Sequence, residues 1–325
     1  MRSVVYHEYG SPDVLKEIEI EVPAITDNQV LLKVHAVSIN PADWHLMRGT
    51  PYLVRLQAGL LRPKSGSFGL DMAGVVEVVG KNVSEFKVGD EVFGESSGAL
   101  SEYAIISKDQ LVMKPTNVNF EAAAAVPMAG FTALQALRNK GRIQAGQKVL
   151  IVGASGGVGT FAVQIAKSYG AEVTGVCSTR NVEMVKSIGA DHVIDYTSEN
   201  FWESKERFDL IIQTAGNYSL AQLRKVLSPT GTLVLAGDSS GPKAVFGMSF
   251  IVGMLKAAVI SRFSKQRIPA FLAKRSKADL IILKALIEEG KLTPVIDKSY
   301  PMGQIADAVR YLETGHARGK IIIKL

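Results

Sequence analysis

The heptapeptide Gly153-Ala154-Ser155-Gly156-Gly157-Val158-Gly159 is the stretch of this chain whose residue types and spacing point most directly to chemistry. Glycines at these intervals, between an apolar run and a helix-forming stretch, bring backbone N–H groups close to an anion such as a pyrophosphate. Gly156 is expected to admit the phosphates and Gly159 to let the following helix pack on the preceding strand, with Ser155, Gly157 and Val158 completing the turn. Ala154 stands where such a turn usually has its first glycine, so the backbone there has to accept a methyl group.

Nineteen residues beyond Gly159 the chain reads Cys177-Ser178-Thr179-Arg180-Asn181, at the end of the next apolar run. A dinucleotide site that takes NAD normally has an acid here for the ribose hydroxyls. Ser178 is small and neutral, and Arg180 can offer a guanidinium to a 2′-phosphate, which favours NADPH over NADH. The other reading of Arg180 is a solvent-facing residue at a helix start.

These residues need a sheet to hold them. Lys148 to Gly153, Glu172 to Cys177, His192 to Tyr196, Asp209 to Thr214 and Thr232 to Ala236 are near-continuous apolar runs, suited to strands buried on both faces. Alternating with helical stretches, they predict a parallel α/β sheet. Val158, Phe161, Ala162, Ile165, Ala166 and Tyr169 recur at helical spacing, with Gly170 placed to stop the helix. Before Pro115 the pattern is different: Val30 to Val37, Gly74 to Val79, Val88 to Phe93 and Ser101 to Ile106 read as short strands of a compact barrel. The stretch from Tyr52 to Gly69, broken by Pro63 and glycines, reads as a loop or short helical lid bordering the site. The tail from Leu292 returns to strand, helix, strand. The expected division is therefore a catalytic barrel from 1–121 and 291–325, interrupted by a dinucleotide-binding unit over 122–290.

Composition narrows the class. A chain of 325 residues with 47% hydrophobic and 21% charged residues is expected to fold throughout, as two domains. One cysteine, Cys177, forms no intramolecular disulfide and points to a reducing, cytoplasmic setting. No secretory leader is visible, and the longest apolar run, 244–260, contains Lys256 and falls short of the roughly 20 residues that span a bilayer. The net charge of +6 is local, because Lys243, Lys256, Arg262, Lys265, Arg267, Lys274, Arg275 and Lys277 lie within one acid-free segment and the rest sums to −2. A solvated helical face is the favoured reading of that 243–277 segment over peripheral contact with an anionic membrane or ligand, and nucleic acid is not an expected partner.

Asn40-Pro41-Ala42-Asp43, Gly69-Leu70-Asp71-Met72-Ala73-Gly74, Val88-Gly89-Asp90-Glu91-Val92, Gly130-Phe131-Thr132-Ala133-Leu134 and Gly315-His316-Ala317-Arg318-Gly319-Lys320, with the glycine-rich turn, resemble the medium-chain dehydrogenase/reductase superfamily. The similarity covers essentially the whole chain and is nearest to the zinc-free quinone oxidoreductase branch, including chloroplast-envelope homologues and bacterial relatives. It implies a GroES-like β-barrel catalytic domain joined to a Rossmann domain, and a homodimer. The zinc enzymes of the superfamily read glycine-histidine-glutamate where this chain has Gly69-Leu70-Asp71, and no cysteine precedes Cys177. His35 and His45 have no matched third ligand, so no catalytic metal is expected.

Without a Lewis acid, a quinone or α,β-unsaturated carbonyl is the acceptor expected to take hydride, since its conjugation spreads the developing charge. The resemblance places Asn40, Asp43 and His45 at the cleft floor. His45 is either a proton donor or a structural histidine beside Trp44. Asn40 either holds the nicotinamide amide or substrate oxygen, or caps a turn before Pro41, and Asp43 is either part of the cleft floor or purely structural. Thr132, Thr214, Ala215 and Gly237 are carried over as neighbours of the nicotinamide, and Tyr196 as a neighbour of the adenosine. Two rival functions stay open: an enoyl-thioester reductase, and an NADPH-binding sensor or scaffold with little turnover.

Overall fold

The computed structural model describes residues 1–237, 262 and 264–325. Its hub is β3 (Gln29–Ile39), an 11-residue strand buried along most of its length that pairs antiparallel with three partners. Around it lie β4 (Asp71–Val79), β5 (Glu91–Glu95), β6 (Tyr103–Ser107), β7 (Leu111–Met113), β13 (Ile296–Pro301) and β14 (Lys320–Lys324). The order is β13-β14-β3-β4-β5-β7, with β6 also on β3, and β1 (Arg2–Val5) and β2 (Lys16–Glu19) form a separate hairpin. The C-terminal strand β14 thus returns to pair with β3, Ile321 opposite Ile39.

The second sheet is parallel, in the order β10-β9-β8-β11-β12. Its strands are β8 (Lys148–Val152), β9 (Glu172–Cys177), β10 (His192–Asp195), β11 (Phe208–Gln213) and β12 (Leu227–Leu235). Chain order reverses between β8 and β11, which opens a crevice at their carboxyl ends. Nine helices are named here: α1 (Pro41–Arg48), α2 (Arg55–Ala58), α3 (Phe120–Ala124), α4 (Pro127–Gln135), α5 (Gly157–Ser168), α6 (Val182–Ser187), α7 (Leu220–Lys225), α8 (Lys277–Glu288) and α9 (Ile305–Glu313). Val149, Ile151, Phe161, Ala162, Ile165 and Ile212 join one core between α5 and the parallel sheet. A second core, with Val30, Leu32, Met72 and Ile321, fills the antiparallel sheet. Gly170 ends α5 at φ 77°.

Three expectations need correcting. The strand expected from Val88 begins at Glu91, because Gly89 at φ 91° and an Asp90 side chain accepting from the Lys87 N–H make a turn there, leaving Val88 exposed. The strand expected from Thr232 starts at Leu227, with an irregular register between Phe208 and Leu210. The basic segment is no single solvated helical face over its described part: between Ile268 and Ser276, where Pro269 intervenes, the backbone has no helix. There Arg275 Nε donates to Glu95 Oε1 at 2.7 Å, and Lys277 Nζ lies 3.5 Å from Glu85. Lys243, Lys256 and the apolar run 244–260 lie outside the described residues. Among the described residues no helix is long and apolar enough to cross a membrane.

Candidate active site

Four neighbouring strands bring polar residues to one end of the antiparallel sheet. Asn40 follows β3, Asp71 opens β4, Glu95 closes β5 opposite Asp71, and Lys320 opens β14. All four are buried. Two carboxylates facing each other on adjacent strands repel, and here a cation attends each one. Lys320 Nζ lies 3.9 Å from Asp71 Oδ2, and Arg275 pairs with Glu95.

Asn40 is the joint of this floor. Its Nδ2 donates to Asp71 Oδ2 at 2.9 Å, and its Oδ1 accepts from Lys320 Nζ. Asn40 also stands at the N-cap of α1, in a capping box with Asp43, whose Oδ2 accepts the Asn40 backbone N–H at 2.7 Å. The Asn40 carboxamide is turned to Asp71 and Lys320. Asp71 also accepts the Met128 N–H, at 3.2 and 3.3 Å, so the positive end of α4 points at this carboxylate. Burial pushes Asp43 up to about 7 and Asp71 up to about 8, and burial pushes Lys320 down. Attraction to Lys320 restrains the rise of Asp71, while attraction to Asp71 restrains the fall of Lys320. Asp43 Oδ1 is buried without a partner.

His45 follows on α1, stacked on Trp44 with ring centroids 3.7 Å apart. Its Nδ1 lies 2.6 Å from the Thr50 carbonyl oxygen. A carbonyl only accepts, so the neutral ring keeps its hydrogen on Nδ1 and presents Nε2 as an acceptor. His35 is remote from this arrangement and stacks on Phe120.

The glycine turn abuts the floor. Gly156 bridges Gly319, and a Cβ on Gly157 would lie 3.2 Å from Lys320 Cδ. The left-handed residue is Gly153, at φ 85°, which explains how Ala154 is tolerated one position later. Gly159 has no room for a side chain, since its Cβ would stand 2.0 Å from the Gly153 oxygen. Gly156 differs, with nothing closer than 3.5 Å to such a Cβ, so the space beside it is open to a ligand. Gly156 and Gly157 lead into α5 with Val158 on its first turn; the Gly156 N–H donates to the Gly153 carbonyl at 3.1 Å, and the Gly157 N–H belongs to the helix start.

At the far end of the turn Asn181 Nδ2 donates to Ser155 Oγ at 3.0 Å and Ser178 Oγ at 3.2 Å. Its Oδ1 is buried without a partner. Arg180 is exposed and donates to the His316 carbonyl at 2.8 Å, and Arg318 donates to the Arg180 carbonyl at 3.4 Å. Tyr196 is half exposed beside Thr197, Glu199 and Asn200 on the rim of an open depression. An acid does stand nearby. Asp195 pairs in register with Cys177, accepts from Thr179 Oγ1 at 2.6 Å, and is held below the usual carboxylate range by Thr179 first and then Thr197.

Thr214 Oγ1 donates back to the carbonyls of Val152, at 3.0 Å, and Gly153, at 3.2 Å, so it braces the turn. Ala215 packs close to Gly153, and Gly237 is required by contact with the Thr214 carbonyl, which a Cβ would approach to 2.0 Å. Thr132 Oγ1 donates to the Met128 carbonyl at 2.8 Å, inside α4. Four residues escaped the sequence reading: Lys320, Asp71 as a partner of Asn40, Asn181 and Asp195. The signal for Lys320 was a lysine heading an otherwise apolar strand, Ile321-Ile322-Ile323, and for Asp71 an acid heading another.

A GroES-like sheet with a buried polar floor, meeting a Rossmann sheet whose glycine turn lies at its switch point, defines a dinucleotide-dependent oxidoreductase. Residues 26–116 match the alcohol dehydrogenase GroES-like domain and residues 188–323 the zinc-binding dehydrogenase family. The chain is 35% identical to the chloroplast envelope quinone oxidoreductase homolog of Arabidopsis thaliana, covering 100% of this chain and 98% of that one. It is also 35% identical to the chloroplastic NADPH-dependent alkenal/one oxidoreductase of Arabidopsis thaliana, over 99% of this chain and 79% of the relative. The solved structure of the quinone oxidoreductase from Coxiella burnetii is similar at a TM-score of 0.84 and 32% identity, covering 100% and 99% of the two chains. The chain belongs to the medium-chain dehydrogenase/reductase superfamily, in its quinone oxidoreductase branch.

Proposed function

We propose that this chain is an NADPH-dependent, zinc-independent reductase of quinones or α,β-unsaturated carbonyl compounds. The observation that carries the second half is the donor set. Leu70 is buried where the zinc enzymes of the superfamily have histidine, and both oxygens of the adjoining Asp71 are occupied by N–H donors. Among the described residues no group of three His, Cys, Asp or Glu side chains could hold a metal ion. These residues do not fit zinc, although one matching family is described as zinc-binding. A substrate that delocalises charge through its own conjugation suits such a floor.

NADPH fits the residues present. Gly156 and the start of α5 would take the pyrophosphate, Asn181 Oδ1 offers an acceptor to a ribose hydroxyl, and Arg180 would face the 2′-phosphate, with Ser178 making room. Asp195 is already engaged by two threonine hydroxyls, which lessens its claim on the ribose. Thr132, Thr214, Ala215 and Gly237 would border the nicotinamide, and Tyr196 the adenosine. When bound, the cofactor supplies a hydride. The protein's part is to keep water out, orient the acceptor over Asn40, Asp43 and His45, and deliver a proton. Asp43, raised by burial, holds a proton on Oδ1 up to about neutrality, and His45 can donate from Nε2 only as imidazolium.

The same reading assigns 1–121 and 291–325 to the catalytic domain and 122–290 to the cofactor domain, supported by the pairing of β14 with β3. It makes the protein a cytoplasmic homodimer, supported by the single buried Cys177, whose thiol is raised to about 11 by burial, and by the resemblance for the dimer. A concentration-independent monomer mass would overturn the dimer. The function is tested by following loss of NADPH with quinones, 2-alkenals, saturated aldehydes and enoyl-thioesters, with and without a chelator. Chelator-insensitive turnover of quinones or alkenals is expected. Loss of activity with chelator, a preference for saturated aldehydes, or cofactor binding without turnover would each overturn it.

A further inference from the structure

The segment that follows α1 carries apolar side chains that are turned to the outside. From the cis-linked Pro51 onward it forms a short helical turn over Tyr52–Val54, then α2, then a bend to Lys64. Along it the apolar side chains point outward: Leu56 is 65% exposed, Leu60 67% and Leu61 90%, with Leu53 also exposed. The backbone imposes this orientation. Tyr9 Oη donates to the Gly59 carbonyl, Arg55 Nε donates to the Gly49 carbonyl at 2.9 Å, and the Lys64 N–H closes on the Ala58 carbonyl at 2.7 Å. The Arg55 guanidinium also lies over the Tyr9 ring at 4.4 Å and the Tyr52 ring at 4.6 Å. The inward side of the segment is thus fixed by polar contacts, and the leucines are left on the other side.

Charge says what would cover them. Between Asp43 and Asp71 the sequence has no acidic residue, but it has Arg48, Arg55, Arg62 and Lys64. Arg48 is neutralised by Glu313, and Arg55 is spent on the anchoring contacts. Arg62 and Lys64 are exposed and have no carboxylate partner among the described residues. Adjacent exposed leucines flanked by unpaired cations are the pattern of a shallow contact with an anionic bilayer, in which the apolar groups enter the acyl boundary and the cations meet the headgroups. A protein partner would need acidic groups around an apolar socket, whereas anionic lipid supplies both in one surface.

We infer that residues 52–64 form a docking surface for anionic phospholipid membranes, with Leu60 and Leu61 as the inserting pair and Arg62 and Lys64 as the headgroup contacts. This surface shares no residue with the 243–277 basic segment and requires no membrane-crossing helix. It does not rest on the proposed reduction, because it is measured without cofactor or substrate.

The test is co-sedimentation of the full chain with vesicles of phosphatidylglycerol and phosphatidylcholine, against vesicles of phosphatidylcholine alone. Wild type should partition to the anionic vesicles and be released by salt. Leu60→Ser/Leu61→Ser should lower the partition coefficient at least about tenfold, since burying a leucine contributes on that scale, and Arg62→Gln/Lys64→Gln should lower it about tenfold to thirtyfold. Melting curves of both variants should match wild type, as none of the four side chains is buried. Wild type left in the supernatant, a leucine variant that binds like wild type, or equal binding to neutral vesicles would overturn the inference. So would a wild-type oligomer that dissociates in Leu60→Ser/Leu61→Ser, which would make the face a contact between copies of this chain.

Discussion

Removing the Lys320 ammonium in Lys320→Met, at nearly constant volume, tests how the polar floor is held. The side chain is 3% exposed, and its Nζ both donates to Asn40 Oδ1 and faces Asp71 Oδ2 across 3.9 Å. At that separation, with an effective dielectric of about 20, the attraction is worth about 4 kcal/mol. Truncating one partner of a buried pair typically costs about 3–5 kcal/mol, because the other charge stays buried and uncompensated. Above about pH 8, where Asp71 is ionised, the expected loss is therefore about 3–4 kcal/mol, read by equilibrium unfolding in urea with the fluorescence of Trp44 and Trp202 as the probe. Asp71→Asn in the Lys320→Met background should restore most of it, so a double-mutant cycle should return a coupling of about 3 kcal/mol. The pH dependence has a definite sign. Asp71 is raised to about 8 in the folded protein, above its unfolded value, and loss of the cation raises it further. Such a group favours folding most in acid, and the advantage is lost as pH rises through the folded value. The deficit of Lys320→Met relative to Lys320→Met/Asp71→Asn should thus be small near pH 4 and widen to beyond about pH 8. A loss under about 1 kcal/mol, an additive cycle, or a deficit that ignores pH would refute the ion-pair account.

Other outcomes follow from the same geometry. Gly159→Ala should unfold or melt far below wild type, because its Cβ would meet the Gly153 oxygen at 2.0 Å, whereas Gly156→Ala should melt normally and lose NADPH binding, measured by nucleotide fluorescence. Arg180→Ala should weaken NADPH about tenfold and leave NADH unchanged in the same titration, and equal losses for both cofactors would remove Arg180 from the 2′-phosphate. In wild type the turnover rate at saturating NADPH should fall as pH rises through about 7, where Asp43 gives up its proton, and Asp43→Asn should show a lower rate without that fall. His45→Gln should keep its rate within about threefold, because the ring is committed to the Thr50 carbonyl; a drop of a hundredfold with loss of the same pH limb would make His45 the donor.

The amino-acid order by itself determined what depends on local pattern. Continuous apolar runs located the parallel strands, helical spacing located α5, and the glycine spacing of 153–159 located the turn that joins β8 to α5, because these signals come from neighbours in the chain. Substitution of leucine for histidine at position 70 was equally plain. What depended on pairing between distant strands was decided only by the tertiary structure. Asn40, Asp71, Glu95 and Lys320 are spread over 281 positions, and only the antiparallel register of β14, β3, β4 and β5 sets them side by side. Their identity as one unit is electrostatic: a buried charge needs a partner, and nothing in the order of residues says which strand will deliver it. Asp195 makes the same point, since only the register of β10 sets this acid beside Cys177 at the end of β9.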